Sequence, residues 1–186
     1  MNEVNKAIAS FTRQRISSVY LSKEVLAKLR RGVGKKLGEI PELLEFVLPA
    51  DSIVKSPQQE TAAEKAIYTA LTLYAFHQQG HEDCVNKDVE KSGYNSSFGH
   101  AVRNLIENDK TREIAITRRF NTVLTAKDMT EWAVHARGLI GLFKNANISL
   151  DYSKLAVELY WFQQDEYRRN VILQWGRDYY MKRKDD

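Results

Sequence analysis

Hydrophobic positions recur at helical spacing along most of the chain. In "TAAEKAIYTALTLYAFHQQ", Ile67, Ala70, Leu71 and Tyr74 fall at i, i+3, i+4 and i+7, which predicts one apolar helix face. Thr61 and Glu64 stand three residues apart just after Pro57, the pattern of a capping box. Upstream, Ser22 opens a short helix through Val25, Leu26 and Leu29, and Gly32 stops it. Pro41 suits the first position of "PELLEFVLP", with Glu42 near that helix's positive end.

The helical period returns after "KSGYNSSFG" at 91–99. Either Ser96 or Ser97 can cap the next helix, which turns Val102, Leu105 and Ile106 inward. The following segments bury Ile116, Phe120 and Val123, then Trp132, Ala136, Leu139 and Phe143. "DYSKLAVELYWFQ" and "EYRRNVILQWGRDYY" complete the set. No alternating run bounded by turns predicts a strand. The expected fold is all-α, two small helical-bundle lobes with eight or nine helices. A hinge at 91–99 would divide 1–92, the N-terminal lobe with a basic loop, from 93–186, the C-terminal bundle.

With 43% hydrophobic and 28% charged residues, the 186-residue chain should fold. The lone cysteine, Cys84, excludes an internal disulfide framework and suits a reducing compartment. The start has no secretory pattern and no apolar run reaches a membrane span, so a soluble, cytoplasmic protein without a membrane partner is expected. A net charge of +4 fits nucleic-acid contact without requiring it.

Candidate chemistry is sparse. His77, His81, Glu82, Asp83 and Cys84 cluster in "HQQGHEDC", but Gly80 should end the helix between the histidines. No second Cys/His pair completes four ligands, so a helix end and polar loop is the better reading than a metal site. No phosphate-cradling glycine motif is present. Asp128, Glu131, Asp151 and Glu158 read as scattered on solvent faces, and His100 and His135 have no nucleophile at motif spacing. The residues point away from an enzyme, and imply neither cofactor nor metal. The aromatics of "LYWFQ" and "WGRDYY" read as core rather than base-stacking platforms, since Leu155, Leu159 and Phe162 are helically spaced.

What remains is basic. "LAKLRRGVGKKLG" carries Arg30, Arg31, Lys35 and Lys36 among glycines that allow close backbone approach to an anion. Taken alone, a solvated turn accounts for it equally well. A second set comprises Arg103, Arg112, Arg118, Arg119, Lys127 and Arg137. Arg118 points away from its helix's core face with Thr122 and Thr125 beside it, a plausible phosphate track set against an ordinary charged surface.

The order of segments carries a resemblance. "LRRG", "LYAFHQQG", "SFGHAVRNL", "RRF", "HARGL" and "LQWGRDYY" follow one another as in the CasB family, the small subunit of the type I-E CRISPR Cascade complex. The chain resembles that family over about residues 24–180. The resemblance implies a non-catalytic subunit, present in two copies beside the backbone subunits and large subunit. It would bind guide RNA and target DNA without sequence preference, steadying the guide–target duplex and the displaced strand. It places Arg30, Arg31, Arg118, Arg119 and Arg137 toward nucleic acid. Where the family often has an arginine after the glycine, this chain has His100, a weaker phosphate contact near neutral pH, which moves the expectation to Arg103. The nucleic-acid set is therefore Arg30, Arg31, Lys35, Lys36, Arg103, Arg118, Arg119, Lys127 and Arg137. A sequence-reading helix-turn-helix regulator is the first rival, though no helix shows the polar base-reading face it needs. The second is a helical assembly adaptor that never touches nucleic acid.

Overall fold

The computed structural model describes residues 3–49, 60–88 and 97–180. Among them are nine α-helices and no strand, as the helical periods predict. The helices are α1 (Glu3–Val19), α2 (Lys23–Arg30), α3 (Leu44–Val47), α4 (Ala62–Gln78) and α5 (Phe98–Asn108), then α6 (Glu113–Leu124), α7 (Met129–Asn145), α8 (Tyr152–Phe162) and α9 (Asp165–Tyr180). Single 3-10 turns lead into α3 and α6. None of the described helices is long and apolar enough to cross a membrane. The hinge expected at 91–99 falls mostly outside the described residues.

Local signals act as expected at the helix starts. The Ser22 hydroxyl accepts from Val25 N, and Thr61 with Glu64 closes a reciprocal capping box. Ser97 accepts from His100 N and so caps α5, whereas Ser96 lies outside the described residues. Gly80 (φ +86°) follows the end of α4, between His77 and His81. Pro41 opens a 3-10 turn rather than the helix itself.

Helix α4 departs from its one-faced expectation: 14 of its 17 residues are buried. The reason is its position, packed by α2, α7 and α8 on different sides. A helix covered all round needs no polar face, and alanine and threonine fill its tighter sides. Thr72 answers its own hydroxyl with the Thr69 carbonyl (3.1 Å). The hydrophobic cluster is continuous from Ile8 of α1 and Leu71 of α4 to Phe120 of α6 and Trp175 of α9. At its centre Phe98, Trp132, Phe162 and Trp175 pack ring against ring, with centroids 5.4–6.5 Å apart. The "WFQ" and "WGRDYY" aromatics are core at Phe162, Trp175 and Tyr179, while Tyr180 stays exposed.

Two carboxylates expected on solvent faces are turned inward instead. Asp151 is buried because it caps α8, accepting from Lys154 N (2.9 Å). Glu158 accepts from the Trp175 indole N–H (2.7 Å), and burial pushes its carboxyl up to about 7. Each is held by a donor the sequence pattern does not reveal.

Candidate nucleic-acid interface

The site is built where the loop after α2 crosses α7. Gly32 lets the loop close onto α4: a Cβ there would lie 2.6 Å from Tyr68 Oη and 2.7 Å from Thr72 Cγ2. The Tyr68 hydroxyl donates to the Gly32 carbonyl (3.0 Å), pinning the chain at that point. Two residues on, Gly34 takes φ +76°, a conformation that glycine adopts without the Cβ penalty, and packs against Val134 of α7. The loop therefore lays its cations beside α7, about a hundred residues away in sequence.

Along α7, Thr130, Val134, Arg137, Gly141 and Lys144 occupy one stripe at i, i+4, i+7, i+11 and i+14, a run of about 21 Å. Toward the C-terminal end, Arg137 and Lys144 both face the Phe76 ring, at 5.1 and 5.6 Å from its centroid. Lys144 also donates to Gln79 Oε1 (3.3 Å). Burial, and then the charge of Arg30, hold its ammonium below the usual lysine range. Arg30, Arg137 and Lys144 thus form one local concentration of positive charge, a ready partner for an anion.

Toward the N-terminal end of α7, the loop, α4 and the α8–α9 turn enclose a cleft of about 380 Å³. Lys35, Lys36, Lys65, Lys127 and Arg168 line it, with Glu60 and Asp128 as its acids. Lys65 is paired with Glu60 (3.2 Å), and Asp128 caps α7 by accepting from Glu131 N (2.9 Å). Arg168 is anchored by bonds to the Phe162 and Lys127 carbonyls (2.9 and 3.2 Å) and lies over the Phe162 ring.

Arg30, Lys35, Lys36, Lys127 and Arg137 are thus brought to the loop–α7 region. Arg31 is exposed but paired with Glu42, and Lys35 lies 3.9 Å from Glu39. Arg118 and Arg119 are exposed on α6, where Arg118 lines a shallow groove with Ile114, Thr122 and Thr125. Arg103 is drawn in: its side chain is 12% exposed and its Nε donates to Glu107 (2.6 Å). Lys65, Lys144 and Arg168 join the region without having been singled out from sequence. Lys144 carried a usable signal, since it follows Arg137 by seven residues on the same helix face.

The "HQQGHEDC" stretch has a structural explanation. His77 is fully buried, its Nδ1 3.0 Å from the Tyr152 hydroxyl, and burial lowers its pKa to about 3. The Gln78 side chain organises the loop, donating to the His81 and Asp83 carbonyls and accepting from Val85 N. Among the described residues no group of three or more His, Cys, Asp or Glu side chains could hold a metal ion.

Residues 25–180 match the family described as CRISPR-associated protein Cse2. The chain belongs to the Cse2 family. The crystal structure of CasB from Thermobifida fusca is similar at 27% identity and a TM-score of 0.74, covering 97% of this chain and 99% of that one. CasB from M. ruber is 21% identical with a TM-score of 0.68, over 97% and 94% of the two chains. A CRISPR-associated protein of the Cse2 family from Thermus thermophilus shares the fold at 18% identity and a TM-score of 0.67, over 97% and 99%. Comparison with curated proteins finds no match. The resemblance to CasB carried by the order of sequence segments is therefore shown, and Cse2 membership supports a place as a subunit of a CRISPR Cascade complex.

Proposed function

We propose that this Cse2 protein is the non-catalytic small subunit of a type I-E RNA-guided surveillance complex. It binds nucleic acid without sequence preference and stabilises the guide–target duplex and the displaced DNA strand. Its partners are the backbone and large subunits, a second copy of itself, guide RNA and target DNA. The observation that carries this reading is the convergence of Arg30, Lys35 and Lys36 with Lys127, Arg137 and Lys144 along α7. Lysine and arginine attract any phosphate backbone, while base pairing with the guide supplies the sequence information. The inward commitment of Glu158, Asp151 and His77 supports a binding role over an acid–base one.

The test is reversal of this face in the assembled complex. A Lys36→Glu, Lys127→Glu, Arg137→Glu protein should still enter the complex and retain guide RNA. It should hold an opened target duplex for a shorter time, with affinity lowered alike for every target sequence. Unchanged R-loop lifetime and unchanged salt dependence would instead favour the assembly adaptor.

A further inference from the structure

The cleft between the basic loop and the start of α7 is more than a patch of charge, because its floor and its rim differ in chemistry. The floor is buried and uncharged: Thr69, Thr72 and Ala133, with Gly32 closing one wall. The cations Lys35, Lys36 and Lys127 are exposed at the rim. Leu37 and Met129, both half-buried, add apolar surface between the two. A volume of about 380 Å³ lies within the range of small-molecule pockets.

From this arrangement we infer that the cleft receives one nucleobase turned out of a single strand, while the phosphates on either side of it rest on Lys35, Lys36 and Lys127. The inference rests on the nucleic-acid reading proposed above and adds a base-holding site to it. A neutral heteroaromatic ring suits a floor of hydroxyl and apolar groups, and entering it costs no buried charge. An acidic peptide side chain suits it poorly. Two further lining cations are already engaged, Lys65 by Glu60 and Arg168 by two carbonyls, and a carboxylate would sit beside Glu60 and Asp128. With no charged base-reading group on the floor, the site should accept any base.

The experiment compares a twelve-nucleotide oligothymidylate with an all-abasic strand of the same length, on the purified protein over a salt series. The two strands carry the same phosphates, so any difference between them reports the bases. The intact strand should bind about fivefold tighter, as burial of roughly 40 Å² of one base's apolar surface would give. Thr130→Phe fills the cleft from the α7 side and should abolish that preference. It should leave the abasic affinity and the salt slope unchanged. Thr130→Ala, which opens the cleft, should keep the preference and guards against misfolding as the cause. Equal binding of both strands by the wild type would overturn the base pocket while leaving the backbone reading intact. Survival of the preference in Thr130→Phe would overturn it in the same way. Failure of both strands to bind would remove the nucleic-acid reading itself. A polyglutamate peptide whose binding alone is lost in Thr130→Phe would assign the cleft to a protein partner and overturn the inference.

Discussion

Gly34 and Val134 touch where the basic loop crosses α7: a Cβ on Gly34 would come within 3.0 Å of Val134 Cγ2. This contact turns two separate runs of basic residues into one face. Its geometry depends on glycine twice, for the space and for the positive φ.

Gly34→Val should therefore do two things. It should destabilise the fold by about 1–2 kcal/mol through backbone strain, and it should lift the loop away from α7, weakening single-strand binding several-fold. Gly38→Val is the matched control. Gly38 also has positive φ (+90°), but nothing lies within 4 Å of its would-be Cβ. It should lower the melting temperature comparably with little change in binding. Equal losses of affinity in both variants would mean that loop strain, not the contact with α7, controls the interface.

Half of this arrangement was legible in the chain. The faces of α6 and α7 follow from apolar spacing because each of those helices keeps an exposed side. Helix α4 misled because burial on every side erases the contrast that periodicity detects. Asp151 and Glu158 misled because a carboxylate reads as solvent-facing until its capped amide or indole partner is known. The basic loop was conspicuous by composition, yet its neighbour on α7 was not. No local pattern links Gly34 to Val134; only the packing of α2, α4 and α7 does.

The cation pair over Phe76 gives a quantitative test of the phosphate track. Replacing Arg137 and Lys144 together by alanine should flatten the slope of log K against log salt by about 1.4, roughly 0.7 for each phosphate contact to a single strand. Arg118→Ala with Arg119→Ala should flatten it further if the strand continues onto α6. Arg103→Ala should add little, since that guanidinium is mostly covered and already paired with Glu107. Titration of labelled single-stranded DNA from low to physiological salt reads all three. An unchanged slope for Arg137→Ala, Lys144→Ala would show that these side chains serve only to cover Phe76.

Gly99 tests the core rather than the interface. Its would-be Cβ lies 2.1 Å from the Trp175 carbonyl oxygen, a backbone atom of α9 that cannot swing aside. Gly99→Ala should push α5 from α9 and cost about 3 kcal/mol or more, despite the higher helix propensity of alanine. Gly138, also inside a helix, has open space at its Cβ position, so Gly138→Ala should be neutral or slightly stabilising. Urea denaturation of the two proteins separates these outcomes. A mild effect at Gly99 would mean that the two helices can slide apart cheaply.

Two groups turned into the fold, Glu158 mostly covered and His77 fully buried, tilt stability with pH in opposite directions. Glu158 is raised from 4.5 to about 7, chiefly by burial, so the folded state takes up its proton more readily than the unfolded state. Its contribution is fully present below about pH 4.5 and is lost as pH rises to about 7. His77 is lowered from 6.5 to about 3, again chiefly by burial, with the charges of His81 and Lys144 adding to it. Its contribution is present above about pH 6.5 and is lost as pH falls toward 3. Between 4.5 and 6.5 the two slopes oppose each other, and the wild type should show a flat melting temperature across that window. Glu158→Gln retains an acceptor for the Trp175 indole while removing the ionisation. It should melt higher than the wild type at pH 8, by about 10 °C, but much like it at pH 4.5. It should also expose the uncompensated rise in stability with pH that His77 produces. A melting series from pH 4 to 8 on both proteins decides the matter: parallel curves would mean that Glu158 ionises in the fold as freely as in the unfolded chain.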